Sequence, residues 1–407
     1  NRGGFKSVEF HDKECKMKNY IKSGLILTGQ TFQREFTAII KDPGALLILF
    51  LALIIYPIIY GIAYKNEVLR DLKVAVVDLD RTATSRTLSR MIDATADLHV
   101  ASRPASMAEA EALFYSGEVH GVFLIPEGLE KAMMKGGQSV LSVYCDAGYF
   151  LMYKQTLSAA MKSSGTFGAG VEIKRYMARG KTVDEAMAMR DPVSIKTVTL
   201  YNPQGGYNTF VLPGLLIVLL QQTLLIGIGL LGGTEREAGR ARFAIPRSLT
   251  RGGVVPIVCG KAFAYLLVYI VNLIITQVWV YHWYKLPNLG GFFPAIALAL
   301  PFLVAVIFLG IALSTFFEKR EHSILFVVFL SPVIMFLTGL SWPVSAIPGW
   351  LDTIGRIFPT RTMVTAWIRV RTMGADFQHI KADIAELLLQ ALVYFILAIV
   401  LYYLAAR

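Results

Sequence analysis

The sequence predicts a helical membrane protein of six transmembrane helices with an α/β domain inserted between the first two. Three observations predict it. Of 407 residues, 55% are hydrophobic and only 17% are charged, with a mean hydropathy of +0.52. That is the make-up of a polytopic membrane chain with a sizeable water-exposed part. Six apolar runs come close to or exceed the roughly 20 residues that cross a hydrocarbon core of about 30 Å: 44–64, 210–231, 256–283, 292–316, 323–340 and 387–405. Residues 65–209 hold no such run and are long enough for a folded domain with its own core.

From the N-terminus, residues 1–16 lack apolar periodicity and precede Met17, which reads as a natural start. They are set apart as upstream sequence. Residues 17–43 form the next part, with a helix over 23–41 that places Ile26, Phe32, Phe36, Ile39 and Ile40 on one face. Such a helix lies along the membrane surface. Asp42 and Pro43 mark the break before the chain enters the bilayer.

In the inserted domain, strands are expected at 74–77, 98–101, 121–125 and 140–144, alternating with helices at 84–94, 107–115 and 127–135. That alternation implies partly parallel pairing. A long helix over 149–179, a short one over 183–189 and an extended stretch at 195–200 lead back to the membrane. Asp78 and Asp80 end the first strand, where an α/β sheet often places ligand groups, but two acids alone read more simply as strand-end and capping groups. His99 and His120 lack partners at metal-ligand spacing. Cys145 is the domain's one cysteine, Cys15 and Cys259 lying elsewhere, so no disulfide forms within the domain.

The net charge of +11 does not mark a nucleic-acid binder, because the basic residues flank the spans instead of forming a stripe interleaved with aromatics. Lys18, Lys22, Arg34 and Lys41 precede the first span. Arg236, Arg240, Arg242, Arg247, Arg251 and Lys261 lie in the loop 232–261, and Lys319 and Arg320 between the fourth and fifth spans. The positive-inside rule then puts both termini and the loop in the cytoplasm, and 65–209 outside. The outer segment 341–386 runs against this count, with Arg356, Arg361, Arg369, Arg371 and Lys381.

No span carries an acid or base near its middle, a feature that ion-coupled carriers normally need. The polar groups present are Gln221 and Gln222 in the second span and Asn272, Thr276 and Gln277 in the third. Neutral amides there most often bond helix to helix, and Gln221, Gln222, Asn272 and Gln277 are also the candidates for lining a pathway. The segment 253–262, GVVPIVCGKA, fails as a phosphate-binding loop, since its first glycine is too far from Gly260 and Lys261 and Ala262 stands where Ser or Thr would hold magnesium. No cofactor site is read in this chain.

The motifs REF, KDPGALL, VAVVDLDRTATSR, VHGVFLIPEGLE, YNPQGGYNTFVLPGLL, TEREAGR and LTGLSWPVSAIPGWLDTIGRIFPTR, in that order, resemble the permease subunits of type-2 ABC exporters. The likeness is strongest to the bacterial subgroup with a large extracytoplasmic domain between the first two spans. It implies a six-helix permease whose segment 341–386 is re-entrant. It also implies that two permeases, identical or related, pair, that a separate ATPase subunit carries ATP and Mg, and that a periplasmic adaptor takes part. Coupling falls on the surface helix and the loop after the second span, here Arg34, Glu35, Lys41 and Asp42 and then Glu235, Arg236, Glu237, Gly239 and Arg240. The loop departs from the family pattern at Arg240, Ala241 and Arg242.

The implied mechanism has ATPase closure push on helix and loop, tilting the second and third spans against those of a second permease. An amphipathic or hydrophobic cargo such as a drug, lipid or lipid-linked product then leaves through the bacterial inner membrane. A membrane receptor is the alternative; it would need neither six spans nor the TEREAGR loop. A membrane enzyme would need paired carboxylates, a His cluster or a nucleophile near a span end, and none stands out.

Overall fold

The computed structural model describes residues 4–239 and 253–405, with side chains described from residue 22 onward. The chain divides into two compact units, Asn66–Thr199 and the remainder, and each is built from its own core.

The larger unit begins with α1, Gly4–Lys41. The helix starts well ahead of the expected residue 23, because no proline interrupts residues 4–41. Of the expected apolar face, Ile39 is fully buried and Phe32 and Phe36 pack against the core, while Ile26 and Ile40 are about half exposed. The buried side of α1 therefore faces protein, namely the third span. Asp42 ends α1 and caps the next helix, its Oδ1 accepting from Ala45 N at 3.0 Å with Pro43 in the first turn.

Six helices are long and apolar enough to cross a membrane: α2 (Pro43–Ala63), α8 (Tyr207–Glu237), α9 (Val254–Trp283), α10 (Phe292–Ser314), α11 (Arg320–Leu337) and α14 (Phe377–Ala405). All six coincide with predicted runs. α8 packs on α2, α10 and α11 and is buried almost all round, as a helix apolar on every side requires. Within this chain α8 is enclosed by its neighbours, whereas α2, α11 and α14 keep the most open faces. Glycines let the neighbours close in. A Cβ at Gly227 would meet Leu49 at 2.2 Å, and one at Gly233 the Arg320 backbone at 2.6 Å, so packing here rests on small residues.

The expected loop 232–261 is largely helical at its edges. α8 continues through the charged run to Glu237, and α9 begins at Val254. Gly239 ends the former, with φ at +96° and its N–H bonded to Arg236 O at 3.0 Å, the left-handed stop that glycine supplies. Arg240, Arg242, Arg247 and Arg251 lie outside the described residues.

Segment 341–386 folds as α12 (Gly349–Gly355) and α13 (Pro359–Arg371). α13 enters the bundle beside α8, α10 and α14, and Trp367 is 1% exposed. Its arginines are matched internally. Arg361 Nε and Nη2 donate to Asp352 Oδ1 at 2.8 and 2.5 Å, Arg369 Nη2 to Asp383 at 2.7 Å, and Arg356 Nε to Asp352 Oδ2 at 3.3 Å. These groups are pinned in pairs close by in the chain.

The smaller unit is a three-layer α/β domain. β1 (Leu72–Asp78) lies centrally in a sheet of order β2-β1-β3-β4, parallel to β2 (Leu98–Ser102) and β3 (Gly121–Ile125); β4 (Ser142–Cys145) runs antiparallel to β3. The unbroken apolar run Val74, Ala75, Val76, Val77 follows from burial on both faces. Val74 and Val76 join Leu88 and Ile92 of α3 (Ala83–Asp93) and Ala159 of α6 (Phe150–Ala178). Ala75 and Val77 join Ala110 of α4 (Met107–Tyr115) on the other side. Short helices α5 (Leu129–Met134) and α7 (Val183–Arg190) complete it. Residues 195–200 are exposed and join no ladder.

Candidate functional site

The charged residues singled out around the first two spans are gathered into ion-paired clusters. Glu35 lies on the buried face of α1, 3% exposed. It is accommodated because α9 comes within backbone distance: a Cβ at Gly260 would stand 2.6 Å from Thr28 O and 3.1 Å from Phe32 N. Beside that contact, Lys261 Nζ donates to Glu35 Oε2 at 2.9 Å and to Glu235 Oε2 at 3.0 Å. Tyr265, one turn further along α9, donates its hydroxyl to Glu35 Oε1 at 2.7 Å. From the exposed side of α1, Arg34 Nη2 reaches Glu235 Oε1 at 3.2 Å. Three separate elements, α1, the end of α8 and the start of α9, are thus tied by one chain of charge.

The pairing has an electrostatic reason. Glu235 sits in the last turn of α8, where the helix dipole disfavours an anion, and two cations offset that. Lys261, buried inside an otherwise apolar stretch, is tolerable only with carboxylates and a hydroxyl around it. A second cluster follows the dipole rule directly. Glu237 Oε1 accepts from Arg320 N, in the first turn of α11, at 2.9 Å. The Arg320 guanidinium donates to Asp42 Oδ1 at 3.1 Å. Acids therefore cap the starts of both α2 and α11.

Of the predicted coupling residues, Arg34, Glu35, Asp42, Glu235 and Glu237 are brought together. Glu35 is buried, bonded to Lys261 and Tyr265. Lys41 is exposed and bonds to none of the described residues, Arg236 is half-buried and Gly239 stops the helix. Lys261 and Arg320 were legible only as span-flanking basic residues. Tyr265 gave no polar signal within an apolar run.

The amides of the second and third spans behave differently. Gln221 is fully buried and its Oε1 accepts from Thr360 N at 3.1 Å, satisfying a first-turn N–H of α13. Asn272 Nδ2 donates to Leu49 O at 2.7 Å. Leu49 lies in a π-helical turn, Leu47–Leu51, and a second such turn, Ile275–Trp279, follows Asn272. Its Gln277 carbonyl accepts from Arg371 Nη2 at 2.6 Å. Each π turn, a form frequent at functional sites, thus lends a main-chain oxygen to a side chain from another helix. Arg371 also lies over the Tyr281 ring at 4.5 Å and the Trp367 ring at 5.4 Å. Yet Gln222 and Gln277 have no side-chain partner, and Gln221 Nε2 and Asn272 Oδ1 are likewise unmatched among the described residues.

In the inserted domain, Asp80 accepts from Gly128 N at 2.8 Å, Glu130 N at 3.2 Å and Thr82 Oγ1 at 2.6 Å. Desolvation pushes its pKa upward, but those donors outweigh it and hold the carboxyl below the usual carboxylate range. Asp78 accepts from Ser85 Oγ at 2.7 Å and Arg81 N at 2.9 Å. Both acids thus serve capping and strand-end roles. No group of three metal-ligating side chains occurs among the described residues. His99 instead pairs with Asp93 at 3.5 Å, and burial pushes the Cys145 thiol pKa up.

No curated protein matches the chain. The family profile of ABC-2 family transporter proteins matches residues 44–400, a stretch that takes in the inserted domain and runs from the first residues of α2 to near the end of α14. With six apolar helices in the order that the motifs foretold, the chain is a multi-pass membrane protein that belongs to the ABC-2 family of transporter proteins.

Proposed function

We propose that the chain is the permease subunit of an ATP-driven exporter, coupled to its motor through the charge cluster of α1, α8 and α9. Family membership makes it a transmembrane transporter component and implies an ATPase subunit as partner. The observation that carries the finer reading is the buried Glu35–Lys261–Glu235 bridge with Arg34 at its open end. It joins a surface helix to two spans by groups that cannot separate without leaving a charge unpaired in a dry site. A push on α1 or on the end of α8 is therefore passed to α9, not absorbed at the surface. Arg34, the exposed end of the cluster, and the exposed neighbours Lys41 and Glu237 are the residues that the ATPase subunit touches.

On this reading both termini lie in the cytoplasm, residues 65–209 lie outside the bacterial inner membrane, and ATP and Mg stay on the partner. A second copy or a related permease pairs through the open faces of α2, α11 or α14, and a periplasmic adaptor docks outside. The cargo is amphipathic or hydrophobic, passing the under-bonded amides Gln221, Gln222, Asn272 and Gln277 as the bundle rearranges.

The test is reconstitution with the ATPase subunit encoded beside this chain. Glu235→Gln with Arg236→Gln should leave assembly intact and abolish most of the cargo-stimulated rise in ATP turnover. Undiminished stimulation in that variant would sink the coupling assignment.

A further inference from the structure

The inserted domain carries an open cleft of about 430 Å³ lined by Val76, Asp78, Arg86, Ser89, Arg90 and Arg103. It lies at the carboxyl ends of the parallel strands β1 and β2, since Asp78 ends β1 and Arg103 directly follows β2. That edge is where α/β sheets place their ligands. Arg86, Ser89 and Arg90 come from one face of α3, at spacings of three and four residues.

Three features suit an anion. None of the three guanidinium groups is ion-paired among the described residues. Arg86 and Arg90 donate only to helix and loop oxygens, Arg86 Nη1 to Arg81 O at 2.9 Å and Arg90 Nη2 to Thr87 Oγ1 at 3.2 Å. Arg103 is exposed and bonds to none of the described residues. The single acid of the lining, Asp78, is already engaged by Ser85 and Arg81 N, so positive charge prevails.

The second, independent observation is Ser89. It is 5% exposed, and its Oγ has no hydrogen-bond partner among the described residues. A buried hydroxyl left unmatched is costly, and one beside three arginines is a donor waiting for an acceptor.

We propose that this cleft binds a phosphate-type oxyanion, a phosphomonoester carried by a soluble molecule or by a lipid headgroup, with Arg86, Arg90 and Arg103 supplying charge and Ser89 a hydrogen bond. Arginine forks match the tetrahedral oxyanion in geometry as well as sign. The cleft is wider than one phosphate and leaves room for the substituent.

The experiment uses the full chain in neutral detergent micelles and titrates inorganic phosphate by calorimetry at fixed ionic strength, with chloride as control. Saturable phosphate binding is expected, weakened about tenfold or more by Arg103→Gln, as for loss of one charge-assisted contact, and several-fold by Ser89→Ala. Both variants should unfold at or above the parent temperature without ligand, because neither side chain is bonded there. Binding no stronger than that of chloride, or unchanged in both variants, would overturn the assignment. Competition then separates the sources: stronger displacement by glycerol 3-phosphate marks a soluble ligand, and stronger displacement by phosphatidate mixed into the micelles marks a headgroup. Displacement by neither refutes the phosphomonoester.

Discussion

The ends of α1, α8 and α9 and the interior of the same bundle solve the burial of polar groups in opposite ways. At the helix ends, Glu35, Lys261, Glu235 and Tyr265 are buried or nearly so, and their charges are all matched. Inside, Gln222 and Gln277 are buried with their side-chain amides unpartnered among the described residues. A matched ionic cluster resists separation, because opening it exposes bare charge to a low dielectric. Unmatched amides resist little, since a shift of one helix lets them gain bonds. The contrast describes a rigid ionic cluster next to a region that has something to gain from moving.

The largest effect is expected at the centre of the matched cluster. Lys261→Met strands Glu35 and should cost about 3–5 kcal/mol, read as loss of monodisperse protein on detergent chromatography. Adding Glu35→Gln to it should restore part of the loss. A single substitution that is harmless would erase the distinction between the two regions.

Next comes the contact that permits the cluster. Gly260→Val puts a side chain against the α1 backbone, which cannot yield as a side-chain tip does. About 1–3 kcal/mol of overpacking strain is expected, seen as a lowered unfolding temperature together with weakened ATPase stimulation.

Arg371→Lys should cost less, about 1–2 kcal/mol, because a lysine keeps the charge but loses the planar stacking on Tyr281 and Trp367. Thermal unfolding of the purified variant reads it. Gln222→Leu is expected to leave stability unchanged or slightly raised, since no bond is lost. If the amide lines the pathway, cargo transport in proteoliposomes falls while the unfolding temperature holds.

The inserted domain provides a control, because Asp80 is an acid matched by neutral donors, two main-chain N–H groups and the Thr82 hydroxyl. Its folded pKa is depressed, so its stabilisation is present above the unfolded pKa of about 3.9 and is lost as pH falls through the folded value. Acid unfolding should therefore steepen below about pH 4, and Asp80→Asn should flatten that part of the curve while lowering stability at neutral pH.

The spans were legible because apolar length is a local property, and so were the strands, whose alternation of apolar runs with turn residues needs no partner to be seen. The acids Glu35, Asp42, Glu235 and Glu237 could be singled out beside the membrane boundary through their motifs. So could Arg34, but not Lys261 or Arg320: Lys261 and Glu35 stand far apart in the chain, and nothing in either neighbourhood names the other. The extension of α8 through Glu237 was hidden for the same reason, as a charged run reads as loop until its counter-charges are placed. Arg371, counted as one more charge of a basic outer segment, proved to be buried under aromatic rings.

By itself the sequence determined six membrane crossings and the inserted α/β domain. These follow from composition, periodicity and spacing, which act over a few turns of chain. The tertiary structure alone decided that α8 lies at the centre of its own bundle, that a lysine bridges two glutamates from different helices, and that three arginines and a lone serine share a cleft. Ion pairs and clefts depend on distances across the fold, and burial converts those distances into energy only once the helices have packed.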